Sequence, residues 1–234
     1  MSGSVSTKLE IDVMQVNELL EASELMVKHH LPAMVIHPGL APDAFAARMR
    51  VRGRYKIIIP IDWPKGENFG NIKFRGISKQ ALEADGFEIM VTPGKSKMDT
   101  QNEIKTLTEF VRNFLGEYVE IRFVLGNTVK TEEELDIVCN ALIGIRNPAM
   151  LRSDTVLKVQ QNVISSESHH AFINKLRGFG LQTPVKISGN MNNLKSIASA
   201  PQAYRYAVNV AQAKNIIREI SQQPSELKEI LSDA

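Results

Sequence analysis

Short apolar runs rich in β-branched residues recur along the whole chain, and a longer amphipathic stretch follows each of them. Six runs are clear, and two near the ends of the sequence are weaker. The clear runs are Ala33–Ile36, Tyr55–Ile61, Phe87–Val91, Val119–Leu125, Thr155–Val159 and Pro184–Ser188, and the weaker ones are Leu9–Val13 and Ala203–Val208. Near-continuous apolar runs are typical of strands that are buried on both faces of a parallel sheet. The alternation therefore predicts an α/β fold.

The number and spacing of these runs predict how the sheet is arranged. Eight strand–helix units in 234 residues give about 29 residues each, which suits a βαβ crossover. Eight such units match a single-domain (β/α)8 TIM barrel, and a doubly wound open sheet is the rival arrangement. No linker or shift in composition marks a second domain. We therefore expect a barrel over residues 1–221 and a C-terminal tail with a surface helix over 222–234.

The segments between the apolar runs carry helix signals. Apolar residues recur at helical spacing over Lys73–Ala84 and over Asn102–Leu115, which predicts two amphipathic helices. Thr131–Glu134 reads as a capping box, in which the Thr131 hydroxyl and the Glu134 carboxylate satisfy backbone amides of the first turn. The acidic triplet of this segment is therefore interpreted as a solvated helix start and not as a binding site.

Charge and composition exclude several classes of function. Lys and Arg number 28 against 26 Asp and Glu, and a net charge of +2 gives no general attraction to nucleic acid or to an anionic membrane. No apolar stretch approaches the length of a transmembrane helix, and the first residues contain no apolar signal region. The single cysteine, Cys139, has no partner for an internal disulfide. A cytoplasmic protein with no nucleic-acid or membrane partner is expected.

The common motifs for metal and nucleotide binding are missing or incomplete. Thr92–Ser96 resembles the end of a P-loop, but Ile89 stands where that motif requires its first glycine. The pairs His29–His30 and His169–His170 are adjacent residues in predicted helices, where neighbouring side chains diverge by about 100°. No zinc-protease or serine-hydrolase motif occurs. The sequence predicts neither a metal site nor a bound cofactor.

Five ionisable residues lie inside the apolar runs, namely Glu88, Glu120, Arg122, Lys158 and Lys186. Glu120 and Arg122 are interpreted as structural, pairing with helix residues or lying near the start of their strand. Lys158 and Lys186 lie toward the carboxyl ends of consecutive predicted strands, the end of a barrel that carries its chemistry. Two ammonium groups in one pocket lower the pKa of one amine, and a nearby carboxylate such as Glu88 completes the groups needed for Schiff-base chemistry. Lysines at the rim of the barrel explain the pattern about as well.

At these residues the sequence resembles the deoxyribose-phosphate aldolases. Five short motifs follow one another in the order that this family shows, and they extend over roughly residues 22 to 210. The motifs are Ile59–Gly66 before Lys73, Ala84–Val91 with Glu88 in the place of an aspartate, Thr128–Glu134, Asp154–Val159, and Val185–Gly189. The resemblance implies a (β/α)8 barrel, a class I aldolase that needs no cofactor, and a small carbonyl substrate. It also allows a homodimer.

The resemblance implies a role for each matching residue. Lys158 would be the Schiff-base lysine, Lys186 the second lysine that lowers its pKa, and Glu88 the acid–base group that acts through water. Five further residues are candidates for substrate contacts, and ordinary loop roles explain them equally well. These candidates are His37, Ser188, Gly189, Asn190 and Asn209.

Some segments depart from the family's pattern and leave alternatives open. Val159–Asn162 replaces Thr-Ser-Thr-Gly, Gly189–Asn190 replaces Gly-Gly, and Ala207–Asn209 replaces the phosphate-binding Gly-Thr-Ser. A barrel's phosphate site depends on small residues that expose backbone N–H groups, so the substrate is either the phosphorylated sugar or an unphosphorylated carbonyl compound. Two other functions stay open, a barrel that has lost the reaction and acts in binding or assembly, and another barrel lyase or isomerase.

Overall fold

The computed structural model describes residues 9–61, 84–90, 96–115, 119–125, 133–134, 136–137, 140–141, 155–160, 185–188 and 204–222. It contains all eight predicted strands, with only small differences at their ends. The strands are β1 (Leu9–Val13), β2 (Ala33–Ile36), β3 (Lys56–Ile61), β4 (Gly86–Met90), β5 (Glu120–Leu125), β6 (Thr155–Gln160), β7 (Val185–Ser188) and β8 (Tyr204–Asn209).

The strands follow one another around the sheet in chain order, and β8 is hydrogen-bonded to β1. The pairings of β1 with β2, β2 with β3, β4 with β5 and β5 with β6 are all parallel. This order is that of a closed barrel. The predicted (β/α)8 fold is therefore confirmed, and the open sheet is excluded.

Two compact units can be distinguished in the chain, and each is discontinuous in sequence. The first comprises Met1–Pro60, Gly76–Asp85 and Lys186–Ala234, and the second comprises Ile61–Arg75 and Gly86–Val185. The first unit contains the neighbouring strands β8, β1, β2 and β3, and the second contains β4, β5 and β6. The predicted boundary between a barrel over 1–221 and a tail over 222–234 stays a prediction, because 223–234 lie outside the described residues.

Four long helices lie within the described residues. They are α1 (Leu19–Lys28), α2 (Ala41–Arg50), α3 (Lys97–Leu115) and α4 (Val210–Gln222). Helix α3 begins before the predicted Asn102 because Ser96 caps it: the Ser96 Oγ accepts a hydrogen bond from the Asp99 N–H at 3.2 Å and donates one to Asp99 Oδ2 at 2.8 Å. The predicted helix over 73–84 lies outside the described residues apart from Ala84, which is not helical. Thr131 of the predicted capping box also lies outside them, whereas Glu134 is helical.

Burial on both faces of the strands explains the continuous apolar runs of the first unit. In β1, β2 and β3 the residues Ile11, Met34 and Ile57 of one face are fully buried, and Val35 and Ile58 of the other face pack together. Helix α1 buries a stripe of residues one turn apart, which are Leu19, Ala22, Ser23 and Met26. This is the apolar face that a helix on the outside of a parallel sheet requires.

A buried chain of hydroxyl groups joins helix α1 to the residue before β3. The Tyr55 hydroxyl donates a hydrogen bond to Ser23 Oγ at 2.8 Å, and the Ser23 hydroxyl donates in turn to the Leu19 carbonyl at 2.7 Å. Burial raises the pKa of the Tyr55 phenol, an effect that the hydrogen bond to Ser23 and the charge of Arg48 partly offset. The phenol therefore stays neutral wherever the protein is folded at ordinary pH.

Replacing Tyr55 with Phe should lower the free energy of unfolding by about 1 kcal/mol at pH 7, because a buried hydrogen bond is lost. Urea unfolding of both proteins measures this loss. In the wild type the pKa of Tyr55 is higher in the folded state than in the unfolded state, so its contribution is fully present below about pH 10 and is lost as the pH rises further. The deficit of Tyr55→Phe should therefore shrink above about pH 10. A deficit that stays constant up to pH 11 would contradict this assignment.

A second polar link fixes the start of β3. Asp85 Oδ2 accepts hydrogen bonds from Arg48 Nη1 at 2.5 Å and from the Ile57 N–H at 2.8 Å. The same Arg48 atom also donates to the Tyr55 carbonyl at 3.3 Å. Since this link is at the amino-terminal end of the strand, it belongs to the face of a barrel that normally contributes to stability and not to chemistry.

Candidate active site

The register of β4, β5 and β6 places the charged residues of the second unit on one face of the sheet. Glu88 is in register with Arg122, and Arg122 with Val156. Residues in register lie on the same face, as do residues two positions apart along a strand. Glu88, Glu120 and Arg122 therefore share a face, and the backbone position of Lys158 belongs to it as well.

These three charged side chains form a buried ion-pair cluster, which we call the Glu–Arg–Glu cluster. The Arg122 Nε donates to Glu120 Oε1 at 2.6 Å, and the Arg122 Nη1 donates to Glu88 Oε1 at 3.4 Å. Arg122 is fully buried, and Glu88 and Glu120 are 3% and 2% exposed. A buried charge is tolerated only when it is paired, and a guanidinium can serve two carboxylates at once. The three formal charges sum to −1.

The partners of Arg122 differ from those expected. The sequence pattern predicts that Glu120 and Arg122 pair with helix residues or lie near the start of their strand. The structure shows Arg122 bonded to Glu120 on its own strand and to Glu88 on the neighbouring strand. The second contact depends on the register of two strands that are far apart in sequence, which neither strand's sequence specifies alone. Glu88, the predicted acid–base residue, thus lies directly beside a guanidinium.

Lys158 lies one layer beyond this cluster, toward the carboxyl ends of the strands. Its Cα is in register with Val124, which in turn is in register with Met90. These positions are two residues beyond Arg122 and Glu88, and two residues of a strand span about 6.6 Å. A lysine at this height in the carboxyl half of a barrel strand is at the end where barrels carry out their chemistry.

The other predicted lysine and its neighbours lie on or after β7. Lys186 and Ser188 are strand residues, and Gly189 and Asn190 lie outside the described residues. Lys158 belongs to the second compact unit and Lys186 to the first. The expectation that the two lysines share one pocket stays a prediction, as do the substrate contacts assigned to Ser188, Gly189 and Asn190.

His37 follows β2 and Asn209 is the last residue of β8, and each forms hydrogen bonds with the turn or helix that comes next. His37 Nδ1 accepts a hydrogen bond from the Gly39 N–H at 3.2 Å at the start of a 3₁₀ turn, Pro38–Leu40. Asn209 Oδ1 accepts from the Gln212 N–H at 2.8 Å, and Gln212 Oε1 accepts from the Asn209 N–H at 3.2 Å. Both side chains are exposed and have a local structural role. Their predicted contacts with substrate stay a prediction.

Two acidic residues of β1 were not among the predicted site residues. Glu10 is fully buried, and Asp12 is in register with Asn209 on β8 and with Val35 on β2. A period-two alternation of acidic and apolar residues, Leu9-Glu10-Ile11-Asp12-Val13, was the signal available in the sequence. It indicates that one face of β1 is polar toward the carboxyl end of the strand.

Within the described residues, no group of three or more His, Cys, Asp and Glu side chains is arranged to hold a metal ion. None of the described helices is long and apolar enough to cross a membrane.

Comparison with known proteins finds matches among solved structures. No protein-family model matches the chain, and no curated protein matches it. Among solved structures it is similar to the tetrameric deoxyribose phosphate aldolase from Aeropyrum pernix, with 11% identity, a TM-score of 0.67, and 93% and 91% of the two chains covered. It is similar to a deoxyribose-phosphate aldolase assigned in Coccidioides immitis, with 12% identity, a TM-score of 0.64, and 93% and 85% coverage.

A third similar structure is an archaeal fructose-1,6-bisphosphate aldolase whose catalytic Lys is covalently bound to the carbinolamine intermediate of its substrate. The identity is 11%, the TM-score is 0.52, and 92% and 94% of the two chains are covered. At these identities the likeness concerns the fold. The chain has the (β/α)8 fold of the deoxyribose-phosphate aldolases, as its resemblance to them predicted.

Proposed function

We propose that the chain is a class I aldolase in which Lys158 forms a Schiff base with a small aldehyde or ketone. The Lys158 amine adds to the carbonyl carbon, and the resulting carbinolamine loses water to give an iminium ion. Loss of a proton from the adjacent carbon leaves an electron pair that forms the enamine. The enamine adds to an acceptor aldehyde, whose oxygen takes up a proton, and water then hydrolyses the new iminium to release the product and the lysine.

The observation that carries this proposal is the register of three adjacent strands. It puts the Lys158 backbone on the same face of the sheet as Glu88, and one layer nearer the carboxyl end. In the proposed enzyme this face lines the interior of the barrel, so that a carbonyl compound bound to Lys158 lies above the Glu88 carboxylate. The backbone positions of Glu88 and Lys158 differ by about 6.6 Å in height and lie two strands apart, and in the proposed enzyme a water molecule bridges the bound substrate and the Glu88 carboxylate.

The charged groups around Lys158 complete the proposed site. Glu88 removes and returns the proton of the adjacent carbon through that water. Lys186, on β7, lowers the pKa of Lys158 by repulsion between two ammonium groups, so that a larger share of the amine is free to attack near neutral pH. Because the Glu–Arg–Glu cluster has a formal charge of −1, it also stabilises the positive iminium ion that forms above it.

The start of helix α4 supports an unphosphorylated substrate. In many barrels a phosphate is held by the loops after the seventh and eighth strands and by a helix amino terminus. Here the Gln212 N–H in the first turn of α4 is occupied by the Asn209 side chain, and Val210 at the first position is 3% exposed. The helix end after β8 is thus closed by the chain's own side chains.

We therefore expect glyceraldehyde and deoxyribose to be trapped at least as efficiently as their phosphate esters. Borohydride reduction at equal, subsaturating concentrations of each pair, followed by mass spectrometry of the intact protein, measures this preference. The variant Asn209→Gly frees the Gln212 N–H and serves as the control. In this variant, trapping of the phosphate ester should increase relative to trapping of the unphosphorylated compound. A preference of about tenfold or more for the phosphate ester in the wild type would contradict the assignment, since it equals about 1.4 kcal/mol of phosphate binding.

The proposed activity is tested by borohydride trapping with acetaldehyde and a panel of sugars and sugar phosphates, followed by peptide mapping. A reduced adduct on Lys158 supports the aldolase. The absence of an adduct with every carbonyl compound, on folded protein, would favour the barrel that has lost the reaction and acts in binding or assembly. We propose that the active enzyme is a homodimer in the cytoplasm.

A further inference from the structure

We propose that Arg122, anchored by Glu120, is a positioning residue that holds the Glu88 carboxylate for proton transfer at the substrate carbon. This inference rests on the proposed function, since it assigns a task to Glu88 within that reaction. It gives the Glu–Arg–Glu cluster a part in the reaction, whereas the sequence pattern predicts a structural role alone for Glu120 and Arg122.

The two contacts of Arg122 are unequal, and the difference separates the anchor from the carboxylate that reacts. The contact of Nε with Glu120 Oε1 is 2.6 Å, a short charge-assisted hydrogen bond, whereas that of Nη1 with Glu88 Oε1 is 3.4 Å. Glu120 and Arg122 are two residues apart on β5, so this strand alone fixes the plane of the guanidinium. The guanidinium then reaches across to β4 and limits where the Glu88 carboxylate lies.

The positions of the two carboxylates along their strands agree with Glu120 as the anchor and Glu88 as the group that reacts. Glu120 is in register with Gly86, at the start of β4, and Glu88 is two residues nearer the carboxyl end. Glu88 is therefore the carboxylate nearer to the level of Lys158, and Glu120 is one layer further away. The looser contact leaves the Glu88 oxygen able to exchange its hydrogen bond for one with water during the reaction.

A structural role alone is a weak explanation for this arrangement. Replacing a buried ion pair with apolar residues of similar volume is often neutral or stabilising, because the pair must be desolvated. A planar guanidinium that contacts two carboxylates does provide a defined direction, and proton transfer is sensitive to errors of about 1 Å. Among the described residues of β4, β5 and β6, the other charged groups on this face are Glu88, Glu120 and, at its backbone position, Lys158.

The test separates proton transfer from imine formation in the same protein. Borohydride trapping of acetaldehyde reports the bond between Lys158 and the carbonyl carbon. Incorporation of deuterium into the acetaldehyde methyl group in D₂O, followed by proton NMR, reports removal of the proton from the adjacent carbon. The proton is transferred through a water molecule to the Glu88 carboxylate, and a deuteron returns to the carbon by the same route. Lys158→Met supplies the rate of exchange that the enzyme does not catalyse.

The main variant is Arg122→Lys, which keeps the charge and loses the fork that serves both carboxylates. Its trapped adduct should stay within about twofold of wild type, while catalysed exchange should fall by about 10- to 100-fold, as expected when a general base is misplaced. Glu120→Gln should reduce exchange less, because the amide oxygen still accepts from Nε. In a Glu88→Gln background, Arg122→Lys should cause no further loss, since the group that it positions is already gone.

Arg48→Lys is the matched control. Arg48 is also paired with a carboxylate, Asp85, but it lies in the first compact unit and outside the proposed machinery. It should leave trapping and exchange unchanged. Cooperative thermal unfolding establishes that each variant is folded, and should Arg122→Lys fail to fold, Glu120→Gln carries the test with an expected loss of exchange of about threefold or more.

The outcomes distinguish this inference from the proposed function. The role of Arg122 would be overturned if the folded variants Arg122→Lys and Glu120→Gln catalyse exchange within about twofold of the wild-type rate and are trapped normally. The proposed aldolase activity would not be affected by that result. Trapping and exchange that fall together would also overturn the role of Arg122, because Arg122 would then act on imine formation. A wild-type protein that forms no adduct and catalyses no exchange would remove both proposals.

Discussion

Lys158→Met is expected to abolish the borohydride-trapped adduct completely. Only an unprotonated amine attacks the carbonyl carbon, and the methionine thioether offers a side chain of similar length without a nucleophile. With acetaldehyde as the probe, the intact mass should stay that of the unmodified variant under conditions in which the wild type gains one reduced two-carbon unit. Peptide mapping of the wild type should place that unit on Lys158.

Two matched variants show whether this loss is specific. Lys214→Met removes an exposed lysine that is paired with Glu21 at 2.5 Å on the protein surface, and it should leave the adduct unchanged. Lys186→Met should slow adduct formation without moving it, because the proposed repulsion that frees the Lys158 amine is removed. An adduct that persists in Lys158→Met, or that maps to Lys186 in the wild type, would refute the assignment of the nucleophile.

Arg122→Met should be the most destabilising single substitution in the described part of the second unit. It leaves Glu88 and Glu120 buried without their shared cation, and breaking a buried pair from one side costs about 3–5 kcal/mol. Urea unfolding at pH 7 measures the loss as a shift in the midpoint at unchanged slope. Arg122→Lys, which keeps the charge, should lose less than half as much. A loss of less than about 1 kcal/mol in folded Arg122→Met would contradict this assignment, because it is the size expected of a solvent-exposed pair and not of a buried one.

The strands could be predicted because burial on both faces leaves a local signal. Runs such as Ala33–Ile36 are apolar at every position, and the structure places this strand between β1 and β3 with all four residues buried. The start of helix α3 was missed because its signal is a single capping residue, Ser96, ahead of the apolar repeat. The boundaries of helices depend on such details more than on periodicity.

The candidate site was predictable only in part. The position of Lys158 in the carboxyl half of its strand follows from the sequence pattern, but the face that it shares with Glu88 depends on the register of three strands. The contact between Arg122 and Glu88 also depends on strand register. Asn209 is a substrate candidate because Ala207–Asn209 matches the phosphate-binding segment of the family, whereas the spacing Asn209–Gln212 carries the signal of a capping box.

The pairing of β8 with β1 has a consequence for how the chain folds during synthesis. It joins Leu9 to Tyr206 and Asp12 to Asn209, so the two strands are separated by about 200 residues of chain. At the usual ribosomal rates, β1 waits roughly 10 to 40 s for this neighbour to emerge. Throughout that interval one hydrogen-bonding edge of β1, with its apolar residues, is open to other nascent chains. Parallel edges of this kind are prone to aggregation, so the yield of folded protein should depend on translation speed and on chaperones that shield the first strand.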